Sequence, residues 1–104
     1  MKPNPVYGSL IGFVDLETSG LNPETQEIIE VGAVVLYSDF RFKKAMNYRL
    51  IMEHPERADP KALKLNGYTP EGWRNAIPQK AGISKLLSFV AECGAVFAHN
   101  VSFD

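Results

Sequence analysis

The sequence predicts an α/β domain built on a mixed sheet, on three observations. Two nearly continuous apolar runs, 10–14 and 28–37, are followed by an alternating third over 45–52 with only short links between them, which suggests an antiparallel meander. A helical period follows over 78–93. A short apolar run, 95–98, comes straight after it, and a strand reached through a helix is most easily parallel to an earlier one, by a right-handed crossover.

Each element has its local reason. The run 10–14 (Leu-Ile-Gly-Phe-Val) fits a strand buried on both faces, ending in Asp15-Leu16-Glu17 and a loop of breakers, Ser19, Gly20, Asn22 and Pro23. The second run is rich in β-branched residues and is interrupted by Glu30. Residues 39–44 read as a polar turn, and in the third strand Asn47 and Arg49 alternate with Met46, Tyr48 and Leu50. Asp59-Pro60 is a helix cap and first-turn pair closed by Gly67, and Thr69-Pro70 repeats that signature ahead of Glu71 and Trp73. Ile83, Leu86, Leu87 and Val90 recur at helical spacing, with Gly94 placed as a stop.

Composition narrows the class. The 104 residues make one small domain with a lean core. An apolar share of 45% with 22% charged residues excludes a disordered tail or a collagen-like repeat. The net charge of −1 signals neither a polybasic binder nor an acidic tail, yet residues 1–30 carry −4 and residues 31–104 carry +3. Cys93 is the only cysteine, which suits a reducing compartment and leaves stability to the core or a bound ion. The start of the chain lacks a signal-peptide pattern, and the longest apolar stretch, 31–37, falls far short of the ~20 residues a membrane helix needs. The expectation is a soluble, cytoplasmic protein with no membrane partner.

Asp15 and Glu17 stand two apart on a strand, so they share a face with backbones roughly 6.6 Å apart. Two carboxylates together at the end of an apolar strand lose hydration and repel one another. A hard divalent cation, Mg²⁺ or Mn²⁺, resolves both problems. The alternative is that the strand ends one residue early and both groups are solvated. If the strand 95–98 lies parallel to 10–14, Asp104 is delivered to the same sheet edge, where ligand sites of open α/β sheets lie. Taken singly, Asp104 also reads as a helix-start carboxylate.

Residues 13–23 (Phe-Val-Asp-Leu-Glu-Thr-Ser-Gly-Leu-Asn-Pro) resemble the first motif of the DEDD 3′–5′ exonuclease superfamily. Residues 28–34 resemble its second strand, 62–69 the segment flanking a substrate 3′ end, and 98–104 (Ala-His-Asn-Val-Ser-Phe-Asp) its second motif. The groups most resembled are the proofreading subunit of bacterial replicative DNA polymerase and exoribonuclease T. The resemblance implies a ribonuclease-H-like fold and hydrolysis of the terminal phosphodiester by two Mg²⁺ or Mn²⁺ ions. It makes Asp15, Glu17 and Asp104 catalytic metal ligands. It gives Thr18 a part in seating the terminal nucleotide, Leu21 a wedge against its base and Asn100 a sugar-phosphate contact. Asn66 stands where some relatives carry His, with a weaker substrate role. The implied partners are single-stranded DNA or RNA 3′ ends and a polymerase subunit.

Other residues read more plainly. Glu30 is expected to find a backbone or Arg partner, Trp73 and Tyr68 to line core or groove, His54 to sit on the surface, and His99 to orient the site. The net charge of +4 over 41–64 suits either a solvated strand edge or steering of a phosphate backbone. The superfamily has a third motif downstream, with a general-base His or Tyr and a fourth metal-binding Asp. Residues 1–104 are therefore expected to be the N-terminal portion of one exonuclease domain, its C-terminal part missing, apolar surface uncovered on one side of the sheet, and little activity alone. The rival reading is a non-catalytic remnant that binds metal or protein.

Overall fold

The structure, a computed structural model, describes residues 9–99; Asn100 and Asp104 lie outside the described residues. Strand β1 (Leu10–Thr18) pairs antiparallel with β2 (Ile28–Tyr37), and β2 pairs antiparallel with β3 (Phe42–Arg49). A short 3₁₀ turn (Pro55–Arg57) and helices α1 (Pro60–Leu65) and α2 (Gln79–Val90) lead to β4 (Cys93–Ala98). β4 returns parallel to β1, so the sheet order is β3-β2-β1-β4, the meander and crossover expected from the pattern.

Strand alternation sorts the side chains. Val14 of β1 and Val31 and Ala33 of β2 meet Leu50 and Leu86 in the core under α2, with Met46 and Tyr48 of β3 packed against them. Phe13, Asp15 and Glu17 therefore point to the opposite face. There Phe13 stacks on Phe97 with ring centroids 5.6 Å apart, and both rings stay well exposed, as does Val34. Half of the expected two-sided burial of β1 is thus missing among the described residues.

Several boundaries differ from the sequence reading: β1 runs on past Val14 to Thr18, β3 ends at Arg49 rather than Met52, and β4 starts at Cys93 rather than Ala95. β3 begins at Phe42 rather than Ala45, because it is an edge strand, where Lys43 and Lys44 are tolerated and both reach Glu92 (3.8 and 3.2 Å). The turn before it shrinks to residues 38–41, with Phe40 at φ 69 in the left-handed region. Gly94 lies inside β4, not at a helix stop; α2 ends at Val90, where the Ala91 N–H closes on Ser88. Asp59 does cap α1, its Oδ1 accepting the Lys61 N–H at 2.9 Å, and Gly67 follows at φ 72. Thr69 accepts the Gly72 N–H at 2.9 Å in the same manner, but only turns follow, since Trp73 is drawn into the core with its Nε1 donating to the Ile29 carbonyl at 2.8 Å.

α2 is held at its start by Gln79, whose amide nitrogen donates to the carbonyls of Ile28 (2.7 Å) and Ile51 (2.9 Å). Its approach to the sheet depends on Gly82, where an added Cβ would overlap the Cδ2 methyl of fully buried Leu50. Gly82→Ala is therefore expected to destabilise the fold by about 1–3 kcal/mol through overpacking, despite alanine's better helix propensity. Urea unfolding checks this, and a neutral or stabilising result would show that α2 can move off Leu50.

Candidate functional site

β1 outruns β4. The last parallel pair is Val14 with Ala98, and the His99 N–H closes it on the Val14 carbonyl at 2.9 Å. β1 nevertheless continues to Thr18, with Asp15 opposite Gly32 and Glu17 opposite Glu30 of β2. The strand does not end early, so both carboxylates stand within it on one face. Beyond β4 the space opens into a cleft of about 560 Å³ lined by Asp15, Glu17, Thr18, Leu21, Lys61, Leu65, Asn66 and His99, together with Gly20, Asp59 and Ala62.

The carboxylates sit uneasily there. Burial pushes the Glu17 carboxyl above its ordinary range; the negative charges of Asp15 and Glu30 push the same way, and His99 partly offsets them. Among the described residues, no cationic side chain lies within ion-pair distance of Asp15 or Glu17. Glu30 is different. Arg49 stands 4.0 Å from it, donates to the Gly72 carbonyl at 2.8 Å and lies over the Trp73 ring at 4.3 Å. Two hard oxygen donors on one face, repelling one another beside open space, fit a small divalent cation that keeps waters or phosphate oxygens as its remaining ligands. The described residues bring no third His, Cys, Asp or Glu into a group with them.

The cleft walls are tied to the exit of β1. Thr18 is buried and its hydroxyl donates to the Gly20 carbonyl at 2.6 Å. Buried Ser19 donates its hydroxyl to Gln26 Oε1 (3.1 Å) and accepts the Glu27 N–H (2.8 Å), closing the loop that carries Leu21, which is 73% exposed. The Ser19 carbonyl accepts the Asp59 N–H at 2.7 Å, and the Asn66 amide donates to the Thr18 carbonyl at 2.9 Å. Sequence reasoning missed Ser19, which read only as a loop breaker. Leu65 lies within the segment 62–69 expected to flank a substrate 3′ end, and Lys61 belongs to the basic cluster, but neither stands out, because nothing local marks which face of a six-residue helix meets the site.

The remaining candidates take structural places. Tyr68 packs on Trp73 at 4.9 Å, and His54 is surface-exposed beside Glu56. The basic cluster is dispersed. Arg41 pairs with Asp39, Lys43 and Lys44 with Glu92, and Arg57 lies near Glu56, while Lys61 lines the cleft. Among the described residues, no helix is long and apolar enough to cross a membrane.

Three comparisons bear on this arrangement. The RNase_T family, described as exonuclease, matches residues 13–104. Ribonuclease T of Marinobacter nauticus is 29% identical over 126 residues, spanning 99% of this chain and 54% of that protein. PolC-type DNA polymerase III of Thermotoga maritima is 30% identical over 91 residues, 88% of this chain and 6% of the polymerase. The chain thus spans about half the length of that ribonuclease T and a small part of the polymerase. In fold it is similar to E. coli exonuclease I bound to a dT13 oligonucleotide, with a TM-score of 0.76 at 20% identity over 88% of this chain and 20% of that one.

The strain on Glu17 has a measurable consequence. A carboxyl raised in the folded state favours folding while protonated; that contribution is complete below the unfolded value and is lost as pH rises through the folded one. Glu17→Gln, always neutral, is expected to raise Tm at neutral pH in metal-free buffer. The gain should shrink toward zero as pH falls below the carboxylate range. A gain that is independent of pH would show that repulsion at Glu17 is not its source.

Proposed function

The chain belongs to the RNase T family of exonucleases, and on that premise we propose that it carries out 3′–5′ hydrolysis of terminal phosphodiester bonds in single-stranded nucleic acid. The observation that carries this reading is the pair Asp15 and Glu17, on one face of β1 past the end of β4, facing a cleft and, among the described residues, without a cationic side chain within ion-pair distance. Both would hold Mg²⁺ or Mn²⁺, with Asp104 as a further ligand. When bound, such ions supply Lewis-acid polarisation of the phosphate and a nucleophilic water.

The chain's own residues do the positioning. Leu21, exposed at the tip of its loop, offers an apolar edge to the terminal base, and Thr18 holds that loop through Gly20. Asn66 belongs to the same wall, and Asn100 is assigned the sugar-phosphate. His99 sits beside Asp15 on the backbone of Val14 and lowers the charge burden on Glu17, an orienting role rather than that of a base. A single strand is the substrate form we favour, since a wedge side chain needs an unpaired terminal base. Exonuclease I, which shares the fold, has been seen with dT13, and the polymerase relative makes a polymerase subunit the partner we propose. Asp15, Glu17 and Asp104 are few ligands for two ions, so these 104 residues alone are expected to be weak catalysts.

Calorimetric titration of Mn²⁺ into the protein tests the centre of this reading. Asp15→Ala should weaken binding by more than about 100-fold, beyond the roughly 10–100-fold typical of losing an outer-shell partner. Equal affinity in both proteins would overturn the assignment. In the same preparation, any Mg²⁺-dependent degradation should begin at free 3′ hydroxyls and be blocked by a 3′-phosphate. Cutting of a circular single strand would contradict the polarity.

A further inference from the structure

Helix α1 has six residues, too few to hold itself together in water, and none of them is buried. Its place in the cleft wall must come from tertiary anchors. The structure supplies two, at opposite ends of the helix and on consecutive carbonyls of the strand exit. At the N-terminal end the cap residue Asp59 donates its N–H to the Ser19 carbonyl at 2.7 Å. At the C-terminal end Asn66 donates its side-chain amide to the Thr18 carbonyl at 2.9 Å, across 48 residues of sequence. The β1–β2 register is irregular between Glu17 and Thr18, the kind of disturbance that takes backbone groups out of the ladder and leaves them to other partners. Asn66 is also the C-cap of α1, its own N–H donating to the Ala62 carbonyl at 2.9 Å, so side chain and backbone grip strand and helix together.

We infer that Asn66 is a positioning residue: one N–H of its amide is held by the Thr18 carbonyl, and it serves the site by pinning α1 so that Lys61 and Leu65 remain in the cleft wall beside the Leu21 loop. Leu65 is 86% exposed, so no packing of its own fixes it. Without the Asn66 bond, α1 would keep only its Asp59 end and swing about it. The inference rests on the exonuclease reading for what the cleft binds, but not for the anchor itself.

The test uses the 104-residue chain with Asn66→Leu, similar in size and lacking the donor, and Asn66→His, which restores a ring N–H donor. Amide hydrogen exchange without metal or nucleic acid reads the anchor. In Asn66→Leu the amides of Leu63 and residue 66 should exchange roughly three- to tenfold faster, the range one lost hydrogen bond covers, with the β1–β2 amides unchanged and Asn66→His close to the parent. Exchange unaltered in Asn66→Leu would overturn the anchor. The second reading is affinity for a fluorescent oligothymidylate with Ca²⁺ in place of Mg²⁺. It should fall by a similar factor in Asn66→Leu and recover in Asn66→His, while Mn²⁺ affinity stays level. A loosened helix with unchanged oligonucleotide affinity would overturn the positioning role. A loss that Asn66→His does not repair would show instead that the amide itself touches substrate. A parent chain that binds no oligonucleotide would fail the exonuclease reading and the positioning role together, with the exchange result still deciding the anchor.

Discussion

The site depends on a difference in length between two neighbouring strands. β4 stops pairing at Ala98, where the His99 N–H reaches the Val14 carbonyl, and β1 runs four residues further. Were β4 to run on beside β1 as far as Thr18, its own side chains would flank Asp15 and Glu17 and take up the space that now opens beside them. Were β1 to end at Val14, both would hang on a loop without a fixed separation. The overrun gives them the rigidity of a strand on the β2 side and open space on the other.

Everything around the overrun is arranged to keep it stiff. Thr18 and Ser19, the last residue of β1 and the first beyond it, are both buried although polar, and each is satisfied locally. Their carbonyls take donors from the two ends of α1, so the strand exit is the hub on which loop and helix both turn. On the next strand, the Arg49 guanidinium lies between Glu30 and the Trp73 ring, which keeps a third carboxylate of that face engaged and away from the pair. The core under α2 is small, and its tightest point, Gly82 on Leu50, sets how closely the helix can cover the sheet.

Much of this was legible in the sequence because it is written in local period and chemistry. Apolar runs marked β1, β2 and β4, Asp59-Pro60 and Gly67 marked α1, and the Asp-Leu-Glu motif marked the carboxylate pair. The features that escaped are relations between distant residues. The start of β3 was obscured by Lys43 and Lys44, whose meaning depends on their being at a sheet edge. Gly94 resembled a helix stop, since a glycine after a helical run cannot announce that it will be paired in a strand. The bond from Asn66 to Thr18 leaves no trace in either segment. The pattern of β1 called for burial on two faces, and among the described residues only one is buried: Phe13 and Phe97 stack on the other and stay exposed, so an apolar run alone does not say whether one face or both are covered.

The acidic bias of the first thirty residues can now be resolved residue by residue. Glu27 accepts the backbone N–H groups of Glu53 (2.9 Å) and His54 (2.8 Å), tying the loop after β1 to the segment after β3. Glu30 has Arg49. The Asn22 side chain caps the turn by accepting the Glu24 N–H at its Oδ1, and the Glu24 carboxylate itself lies in an exposed loop. Among the described residues Asp15 and Glu17 also lack a cationic partner, and unlike Glu24, which is solvated, they share a strand face at the cleft. A surplus of negative charge spread over solvated positions would ask for nothing, because water and salt screen it. Glu27 and Glu30 serve the fold, and the close pair that remains lies where burial pushes the Glu17 carboxyl above its ordinary range. Repulsion between two carboxylates on one strand face, together with partial burial of one of them, is the physical ground on which a divalent cation is proposed at this cleft.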